Sequence, residues 1–156
     1  MGATPLDHQV TGIAAAPDGK GYRLVGSDGG VFAFGDAGFY ASLGSTGYYM
    51  PIMGVSANPD GGGYWLVASD ESLFPFGDAR HYVPTGANVP PNQPVVGIAT
   101  NADGHDHWEV AADDGVFSDG DAHFYGSIGG HPLNHKVLTS EPPECLFGPV
   151  TLVRAA

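Results

Sequence analysis

The sequence predicts an all-β protein made of three tandem copies of one unit, and three observations carry that prediction. The chain repeats itself at a fixed period, glycine and aspartate interrupt every apolar run, and no stretch is long enough for an amphipathic helix. TGIAAAPDGKGYRLVGSDGGVFAFGDAGFY from Thr11 aligns with MGVSANPDGGGYWLVASDESLFPFGDARHY from Met53 and with VGIATNADGHDHWEVAADDGVFSDGDAHFY from Val96. Gly12, Gly54 and Gly97 stand 42 and 43 residues apart, as do Asp36, Asp78 and Asp121. A period of that size marks an array of supersecondary units. The copies occupy residues 10–51, 52–94 and 95–137, after a lead-in of residues 1–9. A fourth opens in phase, since PLNHKV ending at Val137 echoes PLDHQV ending at Val10, but the echo stops after Ser140 and residues 138–156 form a divergent tail.

Inside each copy the punctuation sets the elements. The longest segment free of Gly and Pro, Tyr64 to Phe74, is two alternating apolar runs around a polar SDES turn, which reads as two strands. Asp18-Gly19, Asp60-Gly61 and Asp103-Gly104 close one hairpin per copy, while Asp28-Gly29-Gly30 and Asp113-Asp114-Gly115 close another. About four short antiparallel strands per copy result. Most Asp residues thus have a plain role as turn formers that hydrogen-bond their own backbone.

Composition narrows the function. Of 156 residues, 42% are apolar, enough for a core, and 17 acidic residues against 5 basic ones give a net charge of −12. Nucleic acid and anionic membrane surfaces are therefore repelled as partners. No apolar run approaches the roughly 20 residues of a membrane span, and the opening MGATPLDHQV lacks the charged and apolar regions of a signal peptide. The single cysteine, Cys145, has no internal partner and reads as a bystander, the alternatives being a reactive thiol or an intermolecular bridge.

GYWLVASD followed by FPFGDA, and VFAFGDAGFYASLG, resemble the Gly- and Asp-rich repeat found in tandem in surface and secreted proteins of actinobacteria. The resemblance covers about residues 5 to 137 and implies β-propeller blades, with a place outside the cell or on its surface. Propellers need roughly four to eight blades, and this chain supplies three and the opening of a fourth. Two apolar end faces would then stand in water, so a homodimer completing a six-bladed ring is expected. A β-trefoil, closing three repeats within one chain, is the alternative.

The third copy breaks the pattern of its siblings. Tyr22 and Tyr64 become His107, Leu24 and Leu66 become Glu109, and Phe34 and Phe76 become Asp119, while Asp121 keeps the Asp of Asp36 and Asp78. If a three-residue turn follows Ala112, Glu109 faces Asp119 and His107 faces Asp121, which puts three carboxyls and an imidazole on one patch. One reading leaves this face in solvent with hydrated carboxylates. The other places a cation there, with Glu109, Asp119, Asp121 and Asp103 as ligands, hard oxygens favouring Ca²⁺, and His107 as ligand or base. Tyr40, Tyr82 and Tyr125 cluster at the ends of the copies as aromatic platforms for a sugar, unless packing between blades accounts for them.

Two functions follow. The leading expectation is a noncatalytic repeat module that binds carbohydrate or protein at a cell surface through Tyr-rich loops. The alternative is a small calcium-dependent hydrolase of an ester or lactone, with His107, Glu109 and Asp119 as its catalytic groups.

Overall fold

The computed structural model describes residues 8–81, 92–120 and 122–129. Among these the chain is all-β, without a helix, and forms three separate antiparallel sheets that close into no barrel. The first is β1 (Val10–Ala15), β2 (Gly21–Gly26) and β3 (Val31–Gly35); the second is β4 (Ile52–Ala57), β5 (Gly63–Ala68) and β6 (Leu73–Gly77). The third is β7 (Val95–Thr100), β8 (His107–Ala111) and β9 (Val116–Asp119). Each is a meander in chain order.

The two turns of each copy repeat in atomic detail. Gly19, Gly61 and Gly104 donate their N–H to the carbonyls of Ala16, Asn58 and Asn101, at 2.9, 2.9 and 3.3 Å. Asp18, Asp60 and Asp103 each accept a backbone N–H two residues on. In the second turn Asp28, Asp70 and Asp113 do the same for Gly30, Ser72 and Gly115. The aspartates are turn residues because a short carboxylate satisfies an N–H that the hairpin itself leaves unpaired.

Three strands per sheet are found where about four were expected. Gly35, Gly77 and Gly120 adopt positive φ of 68, 70 and 75° and turn the chain off the ladder. The segment that follows is held by side chains instead. Arg23 Nε donates to the Gly38 carbonyl at 2.8 Å, Trp65 Nε1 to Arg80 at 2.7 Å and Trp108 Nε1 to His123 at 3.1 Å. One side-chain bond to a carbonyl thus anchors each return segment without a ladder.

Successive sheets pack one on the next. β1 lies against β4 and β4 against β7. A Cβ on Gly12 would come within 3.2 Å of the Val55 nitrogen, so the period's glycine marks a close approach of neighbouring inner strands. Backbone bonds from Ile52 to Ser27 (2.9 Å) and from Val95 to Ser69 (3.0 Å) join each sheet to its predecessor. Between the first two sheets Val25, Val31, Leu43, Ile52, Val55, Tyr64, Leu66 and Ala68 form one buried cluster. Full burial of such side chains stabilises by about 1.5–3 kcal/mol each.

The glycine that ends each third strand gives a test. A Cβ on Gly77 would lie 2.2 Å from the Gly62 carbonyl oxygen, whereas one on Gly47, at an almost identical φ of 71°, meets nothing within 4 Å. Gly77→Ala should therefore cost about 3 kcal/mol or more in urea unfolding, and Gly47→Ala about 1 kcal/mol, the price of the left-handed backbone alone.

Candidate metal centre

β8 and β9 carry the third copy's substitutions on one face. The register pairs His107 with Asp119 and Glu109 with Phe117, two residues from the expected pairing of Glu109 with Asp119. The hairpin closes one residue earlier than the expected turn, as it does in the other two copies. Ala111 closes the hairpin by donating to Gly115 at 2.8 Å, and the Ala112 N–H leaves it for the Pro94 carbonyl at 2.9 Å. Since the slip is an even number of residues, the same side chains still share a face, with Glu109 diagonal to Asp119. Asp121, expected opposite His107, lies outside the described residues.

The patch is not in solvent. His107, Glu109 and Asp119 are 3, 4 and 8% exposed. They occupy the positions of Tyr64, Leu66 and Phe76 in the second sheet, so a face that is aromatic and aliphatic in one copy is ionisable and buried in the next. His107 Nε2 lies 3.4 Å from Glu109 Oε1 and 3.5 Å from Asp119 Oδ2. One ligand atom from each residue falls within 4.8 Å of the others. These separations exceed the roughly 2.7–2.9 Å of a charge-assisted hydrogen bond. The two His107 separations fall within the edge of a tetrahedral site whose bonds are about 2.0–2.2 Å, which is about 3.3–3.6 Å.

A carboxylate of the second sheet feels the charge of this site. Glu71, in the β5–β6 turn, has its carboxyl pushed up by its own burial and then by the charges of Glu109, Asp119 and Asp70. Its φ is 69°, at the turn position that the first copy fills with Gly29 at 80°. Sequence reading missed Glu71. The signal was present in the alignment of the copies, where Gly29, Glu71 and Asp114 occupy one column.

The other anticipated residues lie elsewhere. Asp103 is an exposed turn residue whose carboxyl is held below its usual range chiefly by the His105 backbone N–H at 2.9 Å. Tyr125 is 85% exposed and stands edge-on to His123, ring centroids 5.0 Å apart. Tyr82 lies outside the described residues. Tyr40 is 39% exposed, donates its hydroxyl to the Gly61 carbonyl at 2.7 Å and packs 5.8 Å from the Tyr64 ring.

Tyr40 borders a cleft of about 390 Å³ where the first two sheets meet, lined also by Asp18, Arg23, Asp36 and Asp60. Asp36 has its carboxyl pushed up by partial desolvation and by neighbouring Asp18. Arg23 is 1% exposed, its Cζ 5.2 Å from the Tyr64 ring and 5.7 Å from that of Tyr40, and its Nη1 makes no hydrogen bond. The cleft thus combines carboxylate acceptors, a guanidinium and an aromatic rim, a set that suits a hydroxyl-rich ligand. No protein-family model and no curated protein matches the chain.

Proposed function

We propose that the chain is a noncatalytic, repeat-built binding module whose third sheet holds a divalent cation on His107, Glu109 and Asp119, on the face it turns to the second sheet. The burial of three converging metal-ligating side chains carries this reading. Two buried carboxylates beside one imidazole concentrate negative charge that a divalent cation would offset. The described cations are engaged elsewhere: Lys20 pairs with Asp18 at 3.8 Å, Arg23 binds Gly38, and Arg80 is exposed. One imidazole with carboxylates suits Zn²⁺ or Mn²⁺ better than Ca²⁺, which takes six to eight oxygens.

The module's ligand is a carbohydrate or a polar protein surface, taken in the cleft beside Tyr40. Sheets that pack in chain order are consistent with propeller blades, and the resemblance of their sequence to actinobacterial surface repeats supports a place outside the cell. Calcium-dependent hydrolysis of an ester or lactone is the second reading. An imidazole beside two carboxylates could serve as its base, but a catalytic ion needs a position open to substrate, and residues exposed by 3–8% offer little access.

Zn²⁺ or Mn²⁺ at a hundredfold excess over Kd should stabilise the fold by about 2.7 kcal/mol. In a chain of this length that is a rise in melting temperature of about 5–10 °C, reversed by chelator and absent in Asp119→Asn. No response to Zn²⁺, Mn²⁺ or Ca²⁺ in scanning calorimetry would dismiss the cation. Ester or lactone hydrolysis that follows the ion on and off would restore the hydrolase. Glu71→Gly relieves both a left-handed backbone and charge repulsion, and the metal-free protein should gain about 1–2 kcal/mol from it. The binding reading predicts that saturation-transfer NMR against an oligosaccharide panel gives signals that fall in Tyr40→Ala and Asp36→Asn; a panel without signal would count against carbohydrate.

A further inference from the structure

Both internal contacts between sheets use the same two surfaces. Val25 and Arg23 of the first sheet, 0 and 1% exposed, cover Tyr64 and Leu66 of the second, each 0% exposed. Val67 and Trp65 of the second, 0 and 1% exposed, are their equivalents on its far face. Each sheet thus presents a receiving face to its predecessor and a covering face to its successor.

Among the described residues one surface of each kind is left over. On the first sheet the receiving face consists of Ile13, Tyr22, Leu24, Phe32 and Phe34, which the register aligns with Val55, Tyr64, Leu66, Phe74 and Phe76. The chemistry is the same at every position, yet the exposure differs: Ile13 is 67% exposed against 7% for Val55, and Tyr22 is 42% against 0% for Tyr64. Phe32 and Phe34 are 40 and 44% exposed, and Tyr22 stacks on Phe34 at 5.1 Å. On the third sheet the covering face carries Trp108 and Val110, half-buried where Trp65 and Val67 are closed off. A contiguous apolar face of this kind marks an interaction site.

We propose that the open face of β1–β2–β3 receives the β7–β8–β9 covering face of a second copy of this chain. The occupant follows from continuity with the interfaces already present. The surface that fits Tyr64 and Leu66 in this protein is the covering face of another sheet of the same repeat, and among the described residues every chain leaves one such face, that of the third sheet, without a partner sheet. The contact is heterologous, face to opposite face, so it closes as a ring if the rotation permits and otherwise runs on as a filament. It does not depend on the cation, whose ligands lie between the second and third sheets.

The test is sedentation of the whole chain by analytical ultracentrifugation from about 1 to about 100 µM, with hydroxyl-radical footprinting of the same samples. Association is expected to reach at least twice 16.0 kDa, with labelling of Tyr22, Phe34 and Trp108 falling together. Phe34→Lys changes a side chain already half in water, so the fold should survive while the dissociation constant rises about thirtyfold or more. Val110→Lys blocks the other face. Mixed together, the two variants regain one intact contact and should associate better than either alone. A chain that stays monomeric at the upper concentration overturns the proposal, and so does association that leaves Tyr22 and Phe34 fully labelled. Failure of the mixture to recover association, with both variants folded by circular dichroism, would show an isologous contact and also overturn it.

Discussion

The architecture rests on one hydrogen bond made three times, from the middle of each central strand to a carbonyl fifteen residues further on. It is made by Arg23 in one copy and by Trp65 and Trp108 in the others, so the position selects a long side chain with an N–H at its end rather than a particular residue. The bond ties down the segment leaving the third strand, which has no ladder of its own. That segment in turn supplies the backbone of Tyr40 and Ala41 to the Tyr64 hydroxyl, and so helps to shape both the contact between the first two sheets and the cleft beside it. An indole does this at low cost because it has one donor and a large apolar body. A guanidinium brings a charge with it, and the rings of Tyr40 and Tyr64 around Arg23 offset part of the desolvation.

The two contacts between sheets show alternative solutions to one problem. The first is closed by apolar area and aromatic packing, which need no partner and are insensitive to salt and acid. The second replaces Tyr, Leu and Phe with His107, Glu109 and Asp119 and forfeits about 1.5–3 kcal/mol of burial at each position. A contact built from charge is conditional, since its strength depends on what lies between the charges. Glu71, held in a backbone conformation that glycine would take without strain, adds to the same conditional site from the opposite side.

How much of this was legible in the sequence depends on the range of the interaction. The period, the strands and both Asp turns are local and were readable, because a carboxylate bonding an N–H two residues away requires nothing from elsewhere. The register of β8 and β9 was misread by two residues because the hairpin closes at Ala111 rather than Ala112, whose N–H goes instead to Pro94, eighteen positions earlier in the chain. Among the described residues no fourth strand joins any sheet, and Trp65 instead holds the irregular segment at Arg80 by a side-chain bond across fifteen residues. The composition of the patch was visible, but its burial was not. That depends on the second sheet lying over it, which no residue of the third copy announces.

Every sheet is assembled from one contiguous stretch of chain, Val10 to Gly35 for the first and Ile52 to Gly77 for the second. On a ribosome emitting the chain at about 5–20 residues per second, the first sheet is complete before the second has been made, and its hairpins close from neighbours in sequence. Each new sheet then finds its template already folded and waiting. In that order the aromatic contact precedes the ionisable one, so the later of the two is the one left to the ionic conditions it meets.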